Sequence, residues 1–136
     1  MTAKETRRIS AEYTEIGDEL IRKEGVFAPI RENEVTIVYL ASDKQKKTHG
    51  RLVYGECEKV QDKYQWGIPA DFTVTVFEPN CKNMDAEHVK RVIFHELLHV
   101  GIGEDKDGNP VYSIIPHDLE DFRECVNRWG TDWQFS

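Results

Sequence analysis

Residues 92–101 constrain this chain more than any other stretch, because they place His-Glu-x-x-His inside an apolar helical pattern. His95 and His99 are four residues apart, so on a helix their side chains lie one turn above each other, about 6 Å apart. Two imidazoles at that distance can bind one zinc ion. Glu96 follows the first histidine, where its carboxylate can take a proton from a zinc-activated water. The motif therefore predicts zinc ligands at His95 and His99 and a general base at Glu96.

The residues around the motif predict a helix with clear ends. Apolar residues recur at i, i+3, i+4, i+8 and i+11, as on a buried helix face: Val89, Val92, Ile93, Leu97 and Val100. Asp85 is the expected N-cap, and Gly101 and Gly103 are expected to end the helix. A packing helix with two structural histidines is the alternative. The metal site is favoured because the two histidines lie off the most apolar line.

Composition restricts the class of protein. With 136 residues, 39% hydrophobic and 32% charged, the chain is expected to form one globular domain over residues 1–136. Its formal net charge of −7 argues against a nucleic-acid partner or an anionic membrane. No apolar segment is typical of a signal peptide or a membrane span. Cys57, Cys81 and Cys125 are odd in number and widely spaced, which favours free thiols in the cytoplasm.

The rest of the pattern predicts helices and strands in an α+β fold. The expected elements are a helix over residues 5–24, strands over residues 35–40, 52–60 and 72–77, a basic loop over residues 41–51 and a hairpin loop over residues 61–70. Gly55 is expected to mark a bulge or kink in the second strand. The tryptophans, among them Trp66, are assigned to the core by default.

The strand over residues 72–77 alternates apolar and polar side chains, which indicates one buried and one exposed face. An edge strand beside a metal helix can pair with an extended peptide. This strand is therefore the candidate for substrate pairing.

Catalytic zinc normally has three protein ligands and one open position, so a third ligand must come from beyond the helix. His117 is the first candidate, because it begins a predicted last helix and has carboxylates beside it. Glu120 is the second candidate, and Asp118 and Asp121 are expected to orient the ligands. Asp105 is a weaker candidate, six residues after His99 in a turn-rich segment. The buried face of the last helix is expected to comprise Leu119, Phe122, Val126 and Trp129.

The chain resembles the small phage metallopeptidases. The resemblance is carried by VIFHELLHVGIG, by HDLEDF and by the closing RWGTDW, and it spans about residues 35–133. It implies a minimal zincin-like α+β fold: a short, mainly antiparallel sheet packed against an N-terminal helix, the metal helix and a C-terminal helix. It also implies His95, His99 and His117 as zinc ligands and Glu96 as the base.

The predicted function is zinc-dependent hydrolysis of a protein or peptide substrate by an enzyme of phage or prophage type. Two alternatives stay open: a non-catalytic zinc-binding interaction module, and a metallopeptidase of the antirestriction or repressor-cleaving type. A fourth protein ligand, such as Glu120 beside His117, would favour a closed, structural zinc site. Tyr112 is a candidate for stabilising the oxyanion of the reaction.

Overall fold

Residues 4–116, which the computed structural model describes, form one mixed sheet with helices on one face and two small hairpins. The elements, in chain order, are β1 (Arg7–Ile9), α1 (Ala11–Lys23), a 3₁₀ turn (Gly25–Phe27), α2 (Ala28–Glu32), β2 (Ile37–Ser42), β3 (Lys47–Thr48), β4 (Arg51–Leu52), β5 (Gly55–Lys59), a 3₁₀ turn (Asp62–Tyr64), β6 (Phe72–Phe77), α3 (Glu78–Cys81), α4 (Ala86–Leu97), β7 (Val100–Glu104) and β8 (Pro110–Ile114). The predicted last helix lies outside the described residues. The α+β class is confirmed.

The main sheet has the strand order β1-β2-β6-β5. The central pair, β2 and β6, is parallel, whereas β1 pairs antiparallel with β2 and β5 pairs antiparallel with β6. Two of its three pairings are antiparallel, as expected of a mainly antiparallel sheet, but the sheet is mixed because its central pair is parallel. Helices α1 and α4 contact each other and the sheet, and the core lies between these two layers.

Helix α1 begins later than predicted. Residues 7–9 pair with β2 instead of joining the helix, and the helix starts after Ser10. The backbone N–H of Tyr13 donates to the Ser10 hydroxyl at 3.1 Å, which is the geometry of an N-cap. Sheet pairing and this cap together set the helix start.

Helix α1 lies very close to the sheet at Gly17. A Cβ atom at Gly17 would lie 2.1 Å from Cζ of the buried Tyr39 ring. Gly17→Ala should therefore reduce the free energy of unfolding by about 2 kcal/mol. Overpacking destabilises the fold by up to about 3 kcal/mol, and the higher helix propensity of alanine stabilises it by about 1 kcal/mol. Urea denaturation would measure the change. Gly25→Ala is the matched control, because no atom lies within 4 Å of its added Cβ. Equal midpoints for both variants would contradict this packing.

Strand β6 is an inner strand, so its prediction as a substrate-pairing edge strand is wrong. It lies between β2 and β5, and both of its faces are largely buried. The edge next to the helix α4 is formed by β5 instead, which contacts α4. The antiparallel pairing of β5 with β6 confirms the predicted hairpin loop between them.

Two other expectations are corrected, one for the basic loop and one for Trp66. The basic segment is partly structured: Ala41 and Ser42 belong to β2, and Lys47–Thr48 pairs with Arg51–Leu52 in a short hairpin. Trp66 is 90% exposed and does not belong to the core. No helix within residues 4–116 is long and apolar enough to cross a lipid bilayer.

Candidate metal centre

Helix α4 places the first two residues of the motif. It begins at its predicted cap, where the backbone N–H of His88 donates to the Asp85 carboxylate at 2.9 Å. His95 and Glu96 lie in its last turn, and both are buried, with 7% and 6% of their surface exposed. A polar pair buried at a helix end is costly unless it is hydrogen-bonded or binds a cation.

The helix ends before the second histidine, and the glycines predicted to end it lie in β7. The backbone N–H of Leu98 donates to the carbonyls of Phe94 and His95, both at 3.2 Å, and that of His99 donates to the Glu96 carbonyl at 3.1 Å. This tightened turn keeps His99 above His95, and their ring centroids are 5.5 Å apart. The two histidines therefore stay adjacent although only His95 is inside the helix.

The orientation of the His99 ring is set by the end of β8. Its Nδ1 lies 2.6 Å from the carbonyl oxygen of Ile115, and the Ile115 N–H donates back to the His99 carbonyl at 2.7 Å. A carbonyl can only accept, so Nδ1 carries the proton and Nε2 keeps the lone pair that a metal would use. A histidine ligand fixed by a backbone carbonyl is the usual arrangement around zinc.

Glu96 lies beside this ring and under the edge strand. Its Oε1 is 3.9 Å from His99 Nε2. A Cβ at Gly55 would lie 3.1 Å from the Glu96 Cγ, so any larger residue there would require Glu96 or its neighbours to shift by a few tenths of an ångström. Burial raises the pKa of the nearby Cys57 thiol, and the negative charge of Glu96 raises it further. Cys57 is therefore a neutral thiol beside the acid.

Three ligand atoms converge at this point. One atom from each of His95, Glu96 and His99 lies within 4.8 Å of the others, and within residues 4–116 no other group of three histidine, cysteine or acidic side chains meets this condition. Two imidazole nitrogens and a carboxylate are donors that zinc accepts. The residues present thus fit a zinc ion.

The other predicted site residues fall into two groups. His117, Glu120, Asp118 and Asp121 lie outside the described residues. Asp105 is described, and its carboxylate accepts the backbone N–H groups of Asp107 and Asn109, both at 2.9 Å, in the turn between β7 and β8. These bonds lower its pKa, that from Asn109 most. Asp105 follows His99 by six residues, most of them in β7, which is about 20 Å of extended chain, so the structure does not bring it to the cluster.

Tyr112 is also placed away from the cluster. Its ring packs against Phe72 with centroids 5.8 Å apart, and it precedes Ile115 by about 10 Å of strand. Burial raises the pKa of its hydroxyl, with a contribution from the charge of Asp71. His88, at the start of α4, has its Nδ1 2.8 Å from the Asp85 carboxylate, as in a surface pair at a helix cap.

Two contributors to the cluster were missed in the sequence. One is the Ile115 carbonyl, and a backbone group has no residue type to signal it. The other is Gly55, whose place inside a strand pattern indicates either a bulge or a close approach of another element. The structure shows the close approach.

The comparisons with known proteins give a family. Residues 7–135 match the sequence model of the family described as "Putative phage metallopeptidase". No curated protein and no solved structure matches the chain. The match covers nearly the whole sequence and includes the helix with the two histidines, and the chain belongs to the putative phage metallopeptidase family.

Proposed function

We propose that this metallopeptidase is a zinc enzyme that hydrolyses peptide bonds of a protein substrate, with His95 and His99 as zinc ligands and Glu96 as general base. The proposal rests on one observation above all: the Ile115 carbonyl fixes the protonated Nδ1 of His99, so that Nε2 faces the Glu96 carboxylate 3.9 Å away. A ligand nitrogen and a proton acceptor side by side are what metal-assisted hydrolysis requires.

The third ligand in this proposal is His117. It follows Ile115 by two residues in the sequence, and the hydrogen bond between Ile115 and His99 supports this choice. Glu120 is the alternative ligand, and Asp105 is disfavoured by its role in the hairpin turn.

The mechanism follows from the protein groups. Zinc, when bound, would polarise the peptide carbonyl and lower the pKa of water to about 7. The Glu96 carboxylate takes the proton of the attacking water and returns it to the leaving amine. Glu96 is buried with its Cγ beside Gly55, which keeps bulk water from the stem of the side chain. The hydrogen bond from His99 Nδ1 to the Ile115 carbonyl keeps the ring in the tautomer whose Nε2 can bind the metal.

The zincin-like architecture and the cytoplasmic setting are parts of the same proposal. Helix α4 packs on a small sheet, and among residues 4–116 no further strand pairs with β5, the edge strand beside Glu96, which supports the first. Cys57 and Cys81 are free thiols, as a reducing compartment favours.

Zinc content per chain tests the ligand set. Wild-type protein purified without added metal should hold about one zinc, and His117→Ala should lose most of it. His88→Ala is the matched control, since this histidine pairs with Asp85 at the other end of α4. Full retention in His117→Ala would assign the third ligand to Glu120. A wild type that holds no zinc would contradict the zinc site, and one that holds zinc without hydrolysing any peptide would favour a non-catalytic zinc-binding module.

A further inference from the structure

The loop between β5 and β6 presents apolar side chains to solvent. We name residues 61–69 the aromatic loop. Within it Trp66 is 90% exposed, Tyr64 50% and Ile68 42%. Trp66 has the largest exposed fraction among the large hydrophobic residues that the structure describes. Tryptophan and tyrosine dominate the binding energy of protein interfaces, so their joint exposure on one loop indicates a contact surface.

The aromatic loop is held in one shape by its own backbone. The N–H of Tyr64 donates to the Gln61 carbonyl at 2.9 Å, and the N–H of Ile68 donates to the Tyr64 carbonyl at 3.0 Å. At the base of the loop, the Val60 N–H donates to the Asp71 carbonyl at 2.9 Å. A loop ordered before binding loses little conformational entropy when a partner binds, which favours affinity.

Strand β5 leads from the candidate metal centre to this loop. It begins at Gly55, which abuts Glu96, and it ends at Lys59, about 13 Å away, where the loop starts. Within the part of the chain that the structure describes, no strand pairs with the outer edge of β5. An extended polypeptide added to that edge would pass from Glu96 to the aromatic loop.

Strand β8 contacts β5 and also links the cluster to the loop. Its end is anchored at His99 through Ile115, and its Tyr112 packs on Phe72. Phe72 is the cross-strand partner of Lys59, the last residue of β5 before the loop. Both strands that contact the cluster therefore also reach the base of the aromatic loop.

We propose that the aromatic loop is a docking site for the polypeptide substrate, and that Trp66 binds an apolar side chain about five residues from the cleaved bond. This inference rests on the proposed peptidase function. A protein partner fits the loop better than an anionic lipid does, because the loop has one acid and one base, Asp62 and Lys63, and the whole chain has a net charge of −7. The Lys63 ammonium lies 5.1 Å from the Tyr64 ring centroid, so it is already engaged.

Binding can be measured without turnover. The probe is fluorescein-labelled, reduced and carboxymethylated α-lactalbumin, an unfolded polypeptide, and the protein carries Glu96→Gln so that the probe stays intact. Trp66→Ala in this background should raise the Kd from fluorescence anisotropy by about 30-fold, the effect of truncating a hot-spot tryptophan. Leu52→Ala is the matched control: Leu52 is 39% exposed in the β3–β4 hairpin, and its variant should keep the Kd.

Several results would overturn the docking site. One is an equal Kd for the parent protein, Trp66→Ala and Leu52→Ala. Another is the absence of any binding of the probe. Sedimentation that shows a dimer abolished by Trp66→Ala would assign the loop to a second copy of this chain. Flotation with phosphatidylglycerol vesicles that is lost in Trp66→Ala would assign it to a lipid surface.

Cleavage by the active chain separates this inference from the function on which it rests. With Glu96 intact, Trp66→Ala should raise KM for the same polypeptide, while kcat, zinc content and melting temperature stay unchanged. Equal loss of kcat and kcat/KM would contradict docking, because it would place Trp66 in the reaction itself. If wild type binds the probe through Trp66 but never cleaves it, the peptidase proposal fails and the docking surface stands.

Discussion

Glu96→Gln should reduce kcat for peptide hydrolysis by about 10²–10⁴-fold, the usual contribution of a positioned general base, and should leave zinc bound. Glutamine has the shape of glutamate, so it fits the same buried space beside Gly55. It cannot accept a proton from water. Steady-state cleavage of an unfolded polypeptide and zinc content on the same samples would measure both effects.

The control for this variant is Glu87→Gln. Glu87 lies in the first turn of the same helix with 53% of its side chain exposed, so the same chemical change should leave kcat within error. Retained hydrolysis in Glu96→Gln would remove Glu96 from the mechanism. Loss of zinc in Glu96→Gln would instead identify Glu96 as a ligand, which its position within 4.8 Å of both histidine donors also permits.

The part of the site that sequence could predict is the part that is local in the chain. His95, Glu96 and His99 are brought together by one helix end, and Asp85 caps that helix as expected. Even here the helix stops at Leu97, and a 3₁₀-type bond from the His99 N–H keeps the register. The side chains of His95 and His99 stay adjacent despite this early end, because a tightened 3₁₀ turn places residues i and i+4 much as an α-helical turn does.

The sheet order depended on contacts that no local pattern contains. Strand β6 alternates Thr73 and Thr75 with apolar residues, which is typical of a half-exposed strand. Yet Thr75 is fully buried, because Arg7 crosses the sheet from β1 and donates to its hydroxyl at 3.1 Å. A side chain 68 residues away thus covers this polar face, while pairing with β2 and β5 makes β6 an inner strand. The buried Thr75 hydroxyl has a hydrogen-bond partner, so its burial does not leave an unsatisfied polar group in the core.

His95→Ala should abolish stoichiometric zinc binding and the stability that zinc supplies. Loss of a hydrogen bond that supports a ligand typically weakens zinc binding 10–100-fold, so loss of a ligand should cost more. For wild type at zinc concentrations about a thousandfold above Kd, bound zinc adds about 4 kcal/mol to the free energy of unfolding. Chelation should therefore lower the melting temperature of wild type by on the order of 10 °C and leave that of His95→Ala unchanged.

A second histidine variant separates the metal effect from a general loss of histidine. His49 is exposed at the β3–β4 turn with φ of 52°, a conformation that asparagine tolerates, so His49→Asn should keep both the zinc and the response to chelation. His95 is buried, so its alanine variant also loses packing and should melt below chelated wild type. A chelator response retained in His95→Ala would mean that zinc binds elsewhere. In that case the helix histidines would be structural, and the converging donors at the end of α4 would not be the reaction centre.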